Sequence, residues 1–524
     1  MNRRSFLVPL YDAQRKGTNG TEIYLRSLSN CKTVLFVSCG TAKFIELSLQ
    51  AKYSYGALNS TAEFSREMTP ASLIATLSST PSPDGKELAS LSPCVEFLEI
   101  STSLAGQISP EWIRNHFRGE PLYELNLERD LNEATLREIP VEHRIVSWYG
   151  HAANVAQLQS KLAQLAAVPA RFYKLVNTAT SITEEFLPLT FLKSLNRTDT
   201  IAYANGTLGF WSRLVALQLG APAIFGLASP GRIPSEPTVA KLIDDYGLPE
   251  LRPVKEIFAI IGNPIFHSLS PRLHNSSYRA MNYPALFVPL LVNSFAEFWR
   301  EFVRSKQLDA LGFPLNGMTV ASPHKEEAFL TAKNVSAMVQ QTQAANILVR
   351  NNGWWNADTT DPDVVYAAGD QNVRVREKRA AVIGCGGAGR AIAAALAESG
   401  AGVTLINRGA ERGERAASLL GLPYVPLPEF DAEGYDIVVN ATPVGRDTDE
   451  VPFKLERLSH HAVVIDLVYG SRPTPLVDET LARRQVAIDG RDVLVTQVCH
   501  QFRLMTGQEM STALAHEVLG RRKP

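Results

Sequence analysis

The segment Arg379-Ala380-Ala381-Val382-Ile383-Gly384-Cys385-Gly386-Gly387-Ala388-Gly389 constrains the fold of this chain more than any other. A short apolar run, Ala380 to Ile383, meets glycines at 384, 386 and 389. A helix-forming run follows, from Arg390 to Glu398, and a second apolar run, Val403 to Ile406, comes next. Strand, GxGxxG, helix and strand within about 30 residues is the arrangement of a dinucleotide-binding fold. Gly384 allows the tight turn, Gly386 and Gly387 let backbone approach a pyrophosphate, and Gly389 lets the helix pack on the strand. The helix N-terminus then offers unpaired N–H groups to the anion. After the second strand come Asn407 and Arg408, then Arg412 and Arg415. An NAD enzyme usually carries an acid there for the ribose 2′-hydroxyl, whereas a guanidinium grips a 2′-phosphate bidentately. The predicted cofactor is therefore NADP. Further apolar strands at 436–439 and 463–466 extend a parallel, doubly wound sheet over 363–499.

A chain of 524 residues has room for about three folding units. Lys plus Arg number 52 and Asp plus Glu 53, a formal charge of −1. That balance leaves no basic excess for nucleic acid. The five cysteines, Cys31, Cys39, Cys94, Cys385 and Cys499, show no CxxC spacing. They predict neither a disulfide framework nor a metal site, and they fit a cytoplasmic protein. The start, Asn2-Arg3-Arg4-Ser5-Phe6-Leu7, resembles a twin-arginine signal, but charges from Asp12 onward leave no apolar core for one. The charge-poor stretch 214–231 contains Pro222 and Pro230 and reads as helix, turn and strand rather than as a membrane span.

Upstream of the nucleotide segment, Ile257 to Ile261 reads as a buried strand. Ser268-Leu269-Ser270-Pro271 then opens a helix, with Ser270 as the N-cap and Pro271 in the first helical position. Two hydroxyls at a helix N-terminus suit an anion. In the first 250 residues, strand-like runs occur at 33–38, 72–77, 95–100, 121–126, 144–149, 171–176, 200–204 and 222–226. After a longer first gap their starts are roughly 22 to 29 residues apart, which suits a (β/α)8 barrel. The fold class is thus α/β, with a barrel-like domain at 1–250, a strand-and-helix segment at 251–362, the Rossmann domain at 363–499 and a helical segment at 500–524.

The run Gly262-Asn263-Pro264-Ile265-Phe266-His267-Ser268-Leu269-Ser270-Pro271-Arg272-Leu273-His274-Asn275 resembles the signature of the shikimate dehydrogenase family. Similar landmarks follow in order: Pro323-His324-Lys325-Glu326, Ala345-Asn346, Asn356-Ala357-Asp358, the glycine loop, Asn440-Ala441-Thr442, Asp466-Leu467-Val468-Tyr469 and Gln497. The resemblance implies NADP-dependent interconversion of 3-dehydroshikimate and shikimate, in aromatic amino acid biosynthesis. It implies that Ser268 and Ser270 hold the substrate carboxylate and that Lys325 and Asp358 form the catalytic pair. Asn346, Tyr469 and Gln497 would contact substrate, and Thr442 would join the glycine loop, Asn407, Arg408 and Arg412 at the cofactor. The chemistry is consistent: reducing a ketone needs a proton donor at the developing alkoxide, and an ammonium oriented by a carboxylate supplies one. Ala321 stands where members commonly carry a threonine, and a lost hydroxyl costs on the order of 1–3 kcal/mol if its partner stays unpaired. Quinate or another cyclic hydroxy acid therefore stays open as substrate.

The first half resembles type I 3-dehydroquinate dehydratase, a barrel enzyme with a Schiff-base lysine. Phe172-Tyr173-Lys174-Leu175-Val176 is similar to the lysine strand, making Lys174 the nucleophile of a second activity on 3-dehydroquinate. Gly209-Phe210-Trp211-Ser212-Arg213 is similar to the element whose arginine, here Arg213, binds the carboxylate. Glu236 stands where the family favours Gln. Tyr149 occupies the histidine position, with His151 two residues on, and Glu99 lacks the arginine that follows it in the family. These departures leave two readings of the barrel: an active dehydratase, or a domain without that activity. A regulator that binds pathway acids without turnover is the alternative for the whole chain.

Overall fold

The computed structural model describes residues 71–520 apart from 83, 87 (side chain only), 92, 232–235 and 471, together with three short strands before them. Those strands, Ile23–Tyr24, Leu35–Ser38 and Thr41–Phe44, pair antiparallel with one another. The predicted barrel strand at 33–38 belongs to this small sheet. The reason is the connection: a parallel barrel strand needs a crossover of a dozen residues or more before its neighbour. Here Thr41–Phe44 follows almost at once, so the pair closes as a hairpin. The twin-arginine-like start at 2–7 and Cys31 and Cys39 lie outside the described residues.

Among the described residues the barrel sheet has seven strands. Its strands are β1 (Ser72–Thr76), β2 (Val95–Ser101), β3 (Glu120–Asn126), β4 (Arg144–Gly150), β5 (Phe172–Thr178), β6 (Thr200–Asn205) and β7 (Ala223–Leu227). They form one parallel, nearly closed sheet in the order β7-β1-β2-β3-β4-β5-β6. Leu122, Ile145, Ile201 and Phe225 fill its interior, with Phe97 against Phe172 edge to face. Helices α1 (Val155–Ala166), α2 (Leu187–Ser194), α3 (Trp211–Gln218) and α4 (Val239–Tyr246) cover part of the outside. The stretch 214–231 is the end of α3 followed by β7. Among the described residues no helix is long and apolar enough to cross a membrane.

A six-stranded sheet follows: β8 (Glu256–Gly262), β9 (Ala285–Leu291), β10 (Leu315–Val320), β11 (Asn334–Val335), β12 (Ile347–Asn351) and β13 (Trp354–Asp358), in the order β9-β8-β10-β12-β13-β11. Its helices include α5 (Ser270–Met281), α6 (Lys325–Thr331) and α7 (Ala337–Thr342). Each of Ile257 to Gly262 is buried, as a strand covered on both faces must be. The second six-stranded sheet is wholly parallel: β14 (Arg379–Ile383), β15 (Gly402–Asn407), β16 (Tyr424–Pro426), β17 (Ile437–Asn440), β18 (Val463–Asp466) and β19 (Val486–Ile488). Its order, β16-β15-β14-β17-β18-β19, turns back at β14, so the glycine loop after β14 stands at the switch point where such folds bind ligands. Helix α8 (Gly387–Glu398) follows that loop and α9 (Ala410–Leu420) follows β15.

Helix α10 (Gly490–Thr506) leads back out of this sheet. Leu494, Val495, Val498 and Phe502 pack with Phe258, Ile260 and Phe287 of the first lobe, and α11 (Thr512–Val518) adds Ala515. The return begins near 490, ahead of the boundary at 500 that the sequence suggested. The barrel and the first lobe share one apolar core, in which Phe186 and Trp211 meet Phe302.

Candidate active site

The first functional element is the loop after β8. Helix α5 starts at Ser270 itself, with Leu269 as its cap and Pro271 in the first turn. Ser270 is therefore not the N-cap that the spacing predicts. Ser268 takes the capping part, accepting the Ser270 N–H at 3.2 Å. Both serines are buried. Tyr469, from the loop after β18, hydrogen-bonds Ser268, and burial pushes its phenol up. Ser268, Ser270 and Tyr469 thus converge from two lobes.

The second element is the N-terminus of α6. Lys325 Nζ donates to Asp361 Oδ2 at 2.6 Å, with only 15% and 6% of the two side chains exposed. The expected partner was Asp358. Its carboxylate instead accepts the Thr359 N–H at 2.8 Å, at the end of β13. The physical reason is the turn: the strand stops at Asp358, and Thr359, Thr360 and Asp361 bend back toward α6. Asn346 holds that turn, donating to Asp361 Oδ1 at 3.1 Å and accepting the Thr360 N–H at 2.8 Å. Gln497 of α10 donates to the same Oδ1 at 3.4 Å. Gln501 links Thr360 to Thr319 of β10. So Lys325, Asn346 and Gln497 meet around a carboxylate that the sequence reading passed over. Thr359-Thr360-Asp361 places a second aspartate three residues after Asn356-Ala357-Asp358, and that was the available signal.

The third element is the glycine loop. Gly384 has φ +105°, where only glycine is at ease. A Cβ on Gly389 would lie 1.7 Å from the Gly384 carbonyl oxygen, so helix and strand close only with glycine there. A Cβ on Gly386 would meet nothing within 4 Å, leaving that backbone open to a ligand. A Cβ on Gly387 would sit 3.0 Å from Lys325 Cβ, so this loop and the lysine are neighbours. Asn407 accepts the Cys385 N–H at 3.1 Å and fixes the loop to the end of β15. Thr442 donates to Asn440 Oδ1 at 2.6 Å and shapes the turn after β17. Arg408, Arg412 and Arg415 are exposed at the mouth of this crevice. An open anion-ready backbone and exposed guanidinium groups at the end of the second strand fit a dinucleotide carrying a 2′-phosphate.

Arg390, which the sequence marks only as part of a helix, is buried at the start of α8. It donates to the Thr342 carbonyl at 2.8 Å and to Glu326 at 2.7 Å, tying the nucleotide lobe to α6 and α7. Arg390, with Arg415 and Arg412 nearby, holds the Glu326 carboxyl below its ordinary value against the opposing effect of burial.

The barrel presents a different picture. Lys174 is fully buried and its ammonium is paired with Glu99 and, at 2.7 Å, with Glu124. Glu124 faces the barrel from β3 and had no sequence signal. Although burial opposes it, the two carboxylates hold the lysine well above its usual value. Tyr149 donates to Glu124 at 2.5 Å. His151 turns away, its ring 3.3 Å from the Thr178 carbonyl. Arg213 stacks on Tyr203 at 4.5 Å, and among the described residues no histidine joins it with Lys174.

Fold and site together define a two-lobed, nucleotide-dependent dehydrogenase joined to a barrel. Comparison with known proteins is specific. The model of the shikimate dehydrogenase substrate binding domain matches residues 260–348, and that of type I 3-dehydroquinase matches 123–251. The NAD binding domain of D-isomer specific 2-hydroxyacid dehydrogenases matches 333–481. Shikimate dehydrogenase (NADP(+)) of Ignicoccus hospitalis is 34% identical over 46% of this chain and 89% of its own length. The bifunctional 3-dehydroquinate dehydratase/shikimate dehydrogenase of Arabidopsis thaliana is 27% identical over 71% of this chain, which spans 64% of that enzyme. The shikimate 5-dehydrogenase of Thermus thermophilus, solved with NADP(H) and shikimate, aligns with a TM-score of 0.46 at 28% identity, over 50% of this chain and 98% of that one. This chain belongs to the shikimate dehydrogenase family.

Proposed function

We propose that the chain is an NADP-dependent shikimate dehydrogenase, interconverting 3-dehydroshikimate and shikimate. The observation that carries this reading is the 2.6 Å contact of Lys325 with Asp361 beside the glycine loop. A bound nicotinamide supplies the hydride. Lys325 holds a proton at Nζ for the oxygen that becomes the alkoxide, and its charge stabilises that oxygen as it forms. Asp361 orients the ammonium, while Asn346 and Gln497 orient Asp361. Ser268 and Ser270, with Tyr469, hold the substrate carboxylate at the start of α5. Arg408 and Arg412 grip the 2′-phosphate. The organisation that fits is a barrel from 71 to about 250, a substrate domain in 251–362 with the C-terminal helices from about 490, and a nucleotide domain between them.

The barrel contributes no Schiff-base chemistry in this reading. A lysine must lose its proton to attack a ketone, and Lys174 is held as an ammonium between two carboxylates. A cytoplasmic location fits the free thiols of Cys385 and Cys499, whereas the Arabidopsis relative is named chloroplastic.

Purified protein should reduce NADP+ when given shikimate, and Lys325→Ala should lose nearly all of that rate. Quinate is the companion substrate, because Ala321 offers no hydroxyl to a ring oxygen. No NADP+ reduction with either acid would overturn the reading.

A further inference from the structure

The dehydrogenase loop that carries Ser268 and Ser270 leans on the barrel. Phe266, two residues before Ser268, packs against Phe210 of the barrel with ring centroids 5.6 Å apart. Gly209 makes that approach possible: a Cβ there would lie 2.3 Å from the Phe266 ring. Its φ of +95° also suits glycine. The preceding residue, Leu208, accepts the backbone N–H of Leu291 at 3.1 Å, extending the contact to the end of β9.

This barrel loop does not hold itself. Glu185, fully buried, accepts the Leu208 N–H at 3.0 Å and the Trp211 indole N–H at 2.6 Å. A second brace comes from α4. Asp245, also fully buried, accepts from Arg272 at 2.8 Å, and Asp244 adds a contact at 3.0 Å. Arg272 lies in the first turn of α5, two residues after Ser270. The serine loop is therefore gripped on both sides, at 266 and at 272, by residues of the other domain. A buried, charge-assisted contact in a fixed fork geometry is a means of setting a neighbouring backbone.

We propose that the barrel serves the dehydrogenase as the outer wall of its substrate site, with Phe210 and Asp245 as positioning residues for the Ser268–Ser270 carboxylate cradle. This rests on the reading of those serines given above. The barrel's value to the chain is then mechanical rather than dehydratase chemistry, and a dehydrogenase lobe cut free of it would bind its acid poorly.

The test uses the full chain carrying Phe210→Ala or Asp245→Asn. Steady-state rates are measured with shikimate, with shikimate methyl ester and across NADP+ concentrations. The expected result is a roughly tenfold rise in KM for shikimate, with kcat and the KM for NADP+ within twofold of wild type. The preference for shikimate over its neutral ester should shrink by a similar factor. A role in stability alone would lower the active fraction equally for both substrates and leave that preference unchanged, and this outcome would overturn the proposal. Asp245→Asn keeps the side-chain volume, so the proposal can still be refuted if Phe210→Ala fails to fold. Ser268→Ala is the control for the underlying reading: if it leaves the KM for shikimate untouched, the cradle assignment fails, whatever the barrel variants do.

Discussion

Replacing Asp361 by Asn separates two carboxylates that lie three residues apart. Asp361 is almost fully buried and its Oδ2 lies 2.6 Å from Lys325 Nζ. Asn keeps the shape and removes the charge. A hydrogen bond to a charged group contributes about 1.5–3 kcal/mol. At about 1.36 kcal/mol per tenfold in rate, its loss in the transition state lowers kcat by roughly ten- to hundredfold. The binding of NADP+ should change little, because Asp361 faces the lysine and not the arginine cluster. Asp358→Asn should stay within about fivefold of wild type, since that carboxylate contributes one local bond to the Thr359 N–H, worth on the order of 1 kcal/mol. Both variants are assayed for shikimate oxidation at saturating NADP+, with circular dichroism to confirm folding. A larger kcat loss for Asp358→Asn than for Asp361→Asn would refute the assignment of the pair.

Three other outcomes follow from the geometry. Arg408→Ala should raise the KM for NADP+ by roughly tenfold or more, consistent with loss of a charge-assisted phosphate contact, and leave that for NAD+ unchanged; equal changes would remove the 2′-phosphate role. Lys174→Met strands two carboxylates in the barrel and should cost about 3–5 kcal/mol in urea unfolding, while borohydride with 3-dehydroquinate should leave the mass of the wild-type chain unaltered. Burial pushes the Glu185 carboxyl up to about 7, so its folded value exceeds its unfolded one. The stability it lends is full below about 4.5 and is lost as pH rises through about 7; the urea midpoint of wild type should fall over that window relative to Glu185→Gln.

The parts legible in the sequence are those whose physics is local. The glycine loop is one, because a left-handed turn and a close helix approach must be met by residues within a few positions. The strands at 257–261 and 380–383 are others, because continuous burial is written as an uninterrupted apolar run. Asp361 was missed for a geometric reason. Letter spacing pointed to Asp358, but whichever carboxylate faces Lys325 depends on where β13 ends and how Thr359 and Thr360 turn. The pairing of Lys174 with Glu99 spans 75 residues, and nothing near either residue announces it. The strand at 33–38 was recognised as a strand and assigned to the wrong sheet, since an apolar run specifies burial and not a partner. Arg390 looked like part of a helix start; its contacts with Thr342 and Glu326 exist only once two lobes meet.

Those same contacts govern how the lobes can move. Arg390 ties the first turn of α8 to α6 and α7, and its partner Glu326 is one residue along from the lysine. A rotation of the two lobes that preserves these bonds must take them as its pivot. Points near a pivot move least, so the glycine loop and Lys325 keep their spacing through such a rotation. The groups proposed to hold the hydride donor and the proton would then stay in register from one turnover to the next.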